Sequence, residues 1–235
     1  MLSFIVPAYN EELELPATLA AIRSAAGQDR PYEIIVVDDA STDATVQIAK
    51  DAGARVISIN RRQIAAARNA GVRLAVGDVL FFVDADTRIN SKHVTEGMAA
   101  IESGCSGGGA RLEVDGEIPW WGRFFMKLFC AIYFANNLGA GAFLFTTRKN
   151  FDAAGGFDER YFAGEEVWLS LALRKLGRFK IIREPVITSG RKLRMHSPGH
   201  LWRRSVRMML GGLRSYRSRE VLDLWYDGKR ERRST

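Results

Sequence analysis

Residues 34–53 read IIVVDDASTDATVQIAKDAG, which is the layout of one strand followed by one helix. The first four residues form a continuous β-branched run, as expected for a strand that is buried on both faces. Thr42 or Asp43 can then cap a helix, and apolar residues recur at helical spacing up to the glycine that ends the segment. The segment predicts a β–α unit with Asp38 and Asp39 at the exit of its strand.

The same alternation continues on both sides of this unit. Strands are predicted at Ser3–Pro7, Ile34–Val37, Val56–Ile59 and Val79–Val83, with helices between them, including one over Ile64–Val76. Strands that alternate with helices imply right-handed crossovers and a mostly parallel sheet with helices on both faces. The sequence therefore predicts an α/β fold with a doubly covered sheet.

The second half of the chain is less regular. The pattern predicts helices at Ser91–Ile101 and Glu165–Leu176, strands at Gly107–Val114 and Phe179–Ile182, a loop at Ala153–Arg160 and a break at Pro185. We expect one domain over residues 1–190, with a soft boundary near residue 105, followed by a separate tail over residues 191–235.

Composition narrows the class of protein. The chain has 235 residues, of which 47% are hydrophobic and 26% charged, and these values argue against disorder, collagen and coiled coil. Cys105 and Cys130 are too few for a disulfide framework and predict free thiols in a reducing compartment. There is no basic leader-like start and no run of about 20 apolar residues, so we expect a cytoplasmic protein without a membrane span.

The positive charge is concentrated in the tail. The net charge is +7, to which residues 191–235 contribute +9 and residues 1–190 contribute −2. Residues 200–217 predict a basic amphipathic helix that either docks on the domain or lies on an anionic membrane. No recognised nucleic-acid motif is present, so we predict no nucleic-acid partner.

An aromatic-rich segment spans residues 119–145, and its densest run, Trp120–Phe134, covers 15 residues and is too short to cross a bilayer. Two interpretations are open. The segment is either a buried core helix or a functional surface, namely an acceptor groove or a membrane-facing edge, which would suit a lipid-linked acceptor.

Acidic and aromatic residues follow the predicted strands, where ligands of such sheets bind. Asp84 and Asp86 come directly after a buried run and can share one divalent cation, because carboxylates suit Mg²⁺ and Mn²⁺. Asp38 and Asp39 can accept hydrogen bonds from a ribose or a base. Tyr9 offers a flat face on which a base can stack.

Six short segments together resemble the family 2 glycosyltransferases with the GT-A fold. They are SFIVPAYNE (3–11), VVDDASTD (36–43), ARNAG (67–71), FVDAD (82–86), GGFDE (155–159) and GEE (164–166). The resemblance covers residues 3 to about 184. It implies an enzyme that uses a nucleotide-diphosphate sugar, a divalent metal (Mn²⁺ or Mg²⁺) and inverting transfer to an acceptor hydroxyl, with a nucleotide-binding half at about 1–104 and an acceptor-binding half at about 105–190.

The resemblance also implies roles for individual residues. Asp86 would be the principal metal ligand, with Asp84 beside it, and His196 or His200 is a candidate further ligand unless these are ordinary surface histidines. The residues expected to bind the nucleotide sugar are Pro7, Tyr9, Glu11, Asp38, Asp39, Arg68, Asp84 and, on the diphosphate, Arg194.

The catalytic base departs from the family pattern. The family expects a Glu-Asp pair whose aspartate deprotonates the acceptor, and this chain has Glu165-Glu166. A longer carboxylate still serves as a general base where the geometry allows, so we assign Glu166, with Glu165 as the alternative. The competing interpretation is that both acids only favour the helix dipole.

Two other functions remain open. A nucleotidyltransferase would usually carry a glycine-rich phosphate loop near its N-terminus, and Pro7–Glu12 contains no glycine. A non-catalytic protein that binds sugar nucleotides or a membrane surface is the other alternative. For the enzyme, we expect a lipid-linked or cell-envelope acceptor and a cytoplasmic location, extending to the cytoplasmic face of the membrane.

Overall fold

The computed structural model describes residues 1–28, 30–116, 121–123, 127, 130, 133–134 and 136–191. The strands are β1 (Leu2–Ala8), β2 (Tyr32–Asp39), β3 (Arg55–Ile59), β4 (Val79–Val83), β5 (Thr87–Arg88), β6 (Gly107–Val114), β7 (Phe143–Thr147) and β8 (Phe179–Thr188). The helices are α1 (Leu15–Ala26), α2 (Thr45–Asp51), α3 (Ile64–Leu74), α4 (Ser91–Glu102), α5 (Arg148–Ala154) and α6 (Glu165–Leu176).

These strands form one sheet in the order β3-β2-β1-β4-β7-β6-β8-β5. The first four strands in this order pair in parallel, as the alternating pattern predicts. The second half is mixed, because β7 runs antiparallel to both β4 and β6, whereas β6 and β8 are parallel. The α/β class is confirmed, and the sheet is less uniformly parallel than the sequence suggests.

The sheet carries a hydrophobic core on each face. Strand β4 is buried along its whole length, and its successive phenylalanines, Phe81 and Phe82, belong to opposite cores because side chains alternate across a strand. Helices α1, α2 and α4 cover one face, and α3 and α6 cover the other. Because helices cover both faces of the sheet, side chains on both sides of the early strands are buried, and these strands are continuous apolar runs.

Several boundaries differ from the predictions. Strand β7 begins within the aromatic-rich segment and extends two residues beyond it, where the sequence gives no separate strand signal. Strand β8 continues through Pro185, and the expected break is a register shift, with Ala110 opposite Ile182 and Arg111 opposite Pro185. A bulge of this kind accommodates a proline that cannot donate to the ladder. The cap of α4 is Asn90, one residue before the predicted Ser91.

The remaining predictions concern the two cysteines, a membrane-spanning helix and the basic tail. Cys105 and Cys130 are both free thiols. Within the described ranges, no helix has the length and apolar character needed to cross a bilayer. The predicted basic helix over 200–217 lies outside the described residues, as do Arg194, His196 and His200.

Candidate active site

A cavity of about 120 Å³ lies where β1 and β4 end and α3 begins. It gathers residues that are far apart in the sequence, and most of the predicted donor-site residues are among them. The lining residues are Pro7, Ala8, Tyr9, Glu11, Asp39, Arg62, Gln63, Ile64, Ala67, Asp84, Ala85, Asp86 and Arg191. The topology explains this convergence, because strands β1, β2 and β4 are parallel and their carboxyl ends share one edge of the sheet.

Arg68 lies behind the cavity and is buried. Its Nη1 donates to Glu165 Oε1 at 2.8 Å, and its Nη2 donates to Asp84 Oδ1 at 2.8 Å and to the carbonyl of Gly141 at 2.9 Å. Burial opposes the charge of the guanidinium, but the two carboxylates outweigh this effect and raise the pKa of Arg68. These contacts favour a positioning role for Arg68, and its assignment to the nucleoside stays a prediction.

Glu166 lies at the start of α6, next to Glu165. Its carboxyl carbon is 3.7 Å from the position that a Cβ on Gly141 would take, and Arg68 Nη2 is 3.1 Å from the same position, so glycine at 141 lets the backbone approach the guanidinium closely. Burial, and then the neighbouring carboxylate of Glu165, raise the pKa of Glu166 to about 8. Because Arg68 contacts Glu165 directly, Glu165 is the member of the pair whose charge is compensated, and Glu166 is the one able to exchange a proton near neutral pH.

Tyr133 connects the aromatic segment to this carboxylate. Its hydroxyl donates to the carbonyl of Gly139 at 3.1 Å and also hydrogen-bonds with Glu166. Burial, followed by the charge of Glu166, raises the pKa of Tyr133. Part of the aromatic segment therefore borders the site, which is compatible with the acceptor-groove interpretation.

Asp39 orders the loop before α3. One carboxylate oxygen accepts the backbone N–H groups of Arg61 and Arg62, each at 2.7 Å, and the other accepts that of Gln63 at 2.6 Å. Asp38 is buried one position earlier on the strand, on the opposite face, and accepts the N–H of Ser41 at 3.2 Å. Of the two aspartates, Asp39 is therefore the one that faces the cavity.

The ring of Tyr9 is covered by a cation. The guanidinium carbon of Arg62 lies 3.3 Å from the ring centroid, which is a cation–π contact. A base that stacks on Tyr9 must therefore displace Arg62 or be sandwiched beneath it.

A buried ion pair closes the other side of the cavity. The guanidinium of Arg191 binds Glu11 in a bidentate manner, at 2.6 and 2.5 Å, and its Nη2 lies 3.2 Å from Asp86 Oδ2. Asp86 is held further by the Thr188 hydroxyl, at 3.4 Å from Oδ1. Glu11 is thus a partner of Arg191 in this structure, and its role in donor binding stays a prediction.

Two of the recognised motifs are docked on each other. Asn69, in the motif ARNAG, pairs with both backbone groups of Phe157, in the motif GGFDE, at 2.9 and 3.0 Å. Gln63 adds a bond from its side chain to the carbonyl of Glu159 at 2.5 Å. Gly71 permits the packing beneath, because a Cβ there would lie 2.4 Å from Cγ2 of Ile5. These contacts hold the segment GGFDE against helix α3.

The sequence assigned no individual role to three of the residues around the site, which are Arg62, Tyr133 and Gly141. Arg191 belongs to the basic run 191–200, whose arginines are expected to bind the diphosphate, but no local pattern indicates that it reaches Glu11, 180 positions earlier. For Gly141, the only available signal is a glycine just before an apolar run.

The carboxylates at the cavity suit a divalent cation. Asp84 and Asp86 both open on it, and two carboxylates with donor phosphates are a common set of Mg²⁺ ligands. Within the described part of the chain, no group of three His, Cys, Asp or Glu side chains is arranged to hold a metal. The donor set therefore fits a cation that completes its shell with substrate oxygens.

Comparison with known proteins indicates what kind of site this is. The family model described as "Glycosyl transferase family 2" matches residues 3–154. The undecaprenyl-phosphate 4-deoxy-4-formamido-L-arabinose transferase of Aeromonas hydrophila is 36% identical over 95 residues, which cover 37% of this chain and 29% of that protein. The chain thus matches less than a third of this relative's length.

Two solved structures share the fold. TarS of S. aureus in complex with UDP-GlcNAc superposes with a TM-score of 0.62 and 21% identity, covering 81% of this chain and 58% of that one. The mannosyltransferase PcManGT of Pyrobaculum calidifontis, in complex with GDP-Man and Mn²⁺, gives a TM-score of 0.61 and 20% identity, covering 86% and 59%.

Proposed function

Because the chain belongs to glycosyl transferase family 2, we propose that it transfers a sugar from a nucleotide-diphosphate sugar to an acceptor hydroxyl with inversion of configuration. One observation carries the proposal. The carboxylates of Asp84 and Asp86 open on the strand-exit cavity, and Arg68 links Asp84 to Glu165, the residue next to Glu166. The guanidinium of Arg68 thus joins the cavity to the acidic pair that contains the proposed base.

Glu166 removes the proton of the acceptor hydroxyl. The oxygen then attacks the anomeric carbon from the face opposite the diphosphate, the new C–O bond forms, and the diphosphate leaves with the electron pair of the broken bond. Arg68 supports this step by fixing Glu165 and Asp84, at 2.8 Å each. Burial raises the pKa of Glu165 and the charge of Arg68 opposes that rise, while the charge of Glu165 in turn raises the pKa of Glu166.

Tyr9 and Asp39 both line the cavity and are proposed to bind the nucleoside, and Arg62 must move off the ring face that it covers for a base to stack there. Asp84 and Asp86 are the residues that would hold a divalent cation, with His196 as the proposed further ligand. When bound, that cation would stabilise negative charge on the diphosphate. The structure of a TarS complex with UDP-GlcNAc and that of PcManGT with GDP-Man and Mn²⁺ support this donor class.

We propose a lipid-linked acceptor and a site of action at the cytoplasmic face of a membrane. The support is the relative from Aeromonas hydrophila, whose name specifies undecaprenyl phosphate. The described aromatic side chains near the base, such as Tyr133, supply apolar surface on the acceptor side.

Calorimetry with UDP, GDP and their sugars, with and without Mn²⁺, tests the donor site. Binding of one nucleotide should depend on Mn²⁺ and be lost in Asp86→Ala. Asp51→Ala is the matched control, because Asp51 is exposed on α2, away from the cavity. If none of the nucleotides binds to the wild type, the proposal is wrong.

A transfer assay with a polyprenyl-diphosphate-linked sugar, whose hydroxyls are the acceptor groups, then tests catalysis. Wild type should form a glycosylated lipid, and Glu166→Gln should bind the nucleotide but not transfer the sugar. Donor binding by the wild type without transfer to this lipid or to water would favour a non-catalytic binding protein.

A further inference from the structure

The position of Arg191 bears on how a divalent cation reaches Asp86. Arg191 and Glu11 are both buried, with 8% and 7% of their surfaces exposed. Two short bonds to Glu11 hold the guanidinium in one orientation, and from there its Nη2 approaches Asp86 Oδ2 at 3.2 Å. A positive charge is therefore already fixed at the carboxylate expected to bind metal.

We infer that Arg191 competes with the divalent cation for Asp86, so that the free protein binds the cation weakly and the nucleotide diphosphate makes binding tight. The inference deepens the proposed function and rests on it, because a cation is taken to bind at Asp86. Two positive groups repel each other at short range, and a carboxylate oxygen engaged by a guanidinium is not free for a metal.

The nucleotide changes this balance in two ways. Diphosphate oxygens supply further ligands, because two of the four carboxylates that line the cavity are already engaged, Glu11 by Arg191 and Asp39 by backbone N–H groups. The same oxygens offer Arg191 an alternative anion, and arginine binds phosphate in the bidentate geometry that it uses with Glu11. Cation and nucleotide should therefore bind with strong positive cooperativity.

The test measures the affinity of Mn²⁺ alone, from the electron paramagnetic resonance signal of free Mn²⁺. Arg191→Gln should bind Mn²⁺ about tenfold or more tightly than wild type, because the ion pair between Arg191 and Asp86 is lost and with it the repulsion of the cation. The gap should narrow when UDP or GDP is present at saturation. Arg178→Gln is the matched control, because Arg178 carries the same charge near the opposite end of β8 and should leave the affinity unchanged.

Two further variants keep the test decisive. Arg191→Lys retains the charge and should stay close to wild type, even if Arg191→Gln folds poorly with Glu11 left unpaired. The gain from Arg191→Gln must also vanish in an Asp86→Asn background. Equal Mn²⁺ affinities in wild type and Arg191→Gln would overturn the inference, while nucleotide binding that still required Mn²⁺ and Asp86 would leave the proposed function intact. Absence of both Mn²⁺ and nucleotide binding would overturn both.

Discussion

Replacing Arg68 with methionine tests the charge network behind the active site. Methionine keeps much of the side chain's volume but removes the donors to Glu165, Asp84 and Gly141. The side chain of Glu165 is 4% exposed and that of Asp84 is 34% exposed, so solvent screens Asp84 but not Glu165. Most of the penalty should therefore come from the uncompensated charge of Glu165.

Breaking a buried ion pair by removing one partner costs about 3–5 kcal/mol. In a domain of this size, each kcal/mol lowers the melting temperature by about 2–4 °C, so Arg68→Met should melt about 6–20 °C below wild type. The loss must also depend on pH. Burial already raises the pKa of Glu165, and without the cation it rises further, so the folded variant binds more protons than its unfolded chain. Its stability deficit is therefore smallest in acid and grows as the pH rises.

Thermal melts of wild type and variant at about pH 5 and pH 8 measure both effects. Arg148→Met is the control, because Arg148 donates to the backbone carbonyls of Val72 and Ala75, at 3.2 and 2.6 Å, and its loss should cost the same at both pH values. A deficit for Arg68→Met below about 1 kcal/mol, or one that does not change with pH, would refute the reasoning.

Three other predictions concern the base, the docked motifs and a buried histidine. Glu166→Gln should lower kcat by about 10²–10⁴-fold. The wild-type rate should rise as the pH passes through about 8, because a base of raised pKa must first lose its proton, and a flat rate across this range would contradict the assignment. Asn69→Ala should lose about 1–3 kcal/mol in urea unfolding, because the backbone N–H and carbonyl of Phe157 lose their partner, and an unchanged midpoint would show that the docking contributes nothing. Burial lowers the pKa of His93, so the unfolded chain binds more protons than the folded one, and stability should fall as the pH drops below the ordinary histidine value of about 6.5. In urea unfolding, His93→Phe should lose less stability than wild type over this pH range, and an equal loss would argue against a role for His93.

Much of the first half of the fold was predictable from the sequence. Strands β1, β2 and β4 are buried on both faces, and such strands leave continuous apolar runs that end at polar residues. The convergence of Tyr9, Asp39, Asp84 and Asp86 followed from the rule that parallel strands share their carboxyl edge.

The remainder depends on long-range contacts, which local patterns do not encode. Strand β7 is a short apolar run beside aromatic residues, and such a run has no period that separates strand from helix. Arg68 lies in an alanine-rich helix, where an arginine is expected at the surface. The ion pairs with Asp84 and Glu165 compensate for the loss of its hydration when it is buried. Both partners come from other elements, so the helix itself carries no sign of them.

The ion pair between Glu11 and Arg191 also affects how the protein should be truncated for expression. A fragment that ends at residue 190, where the sequence suggests that the domain stops, would lack Arg191 and leave the buried carboxylate of Glu11 without its guanidinium. Such a fragment should be harder to purify and crystallise than one extended by even a few residues, because an unpaired buried charge is strongly destabilising. A fragment made for expression should therefore include Arg191 and extend beyond it.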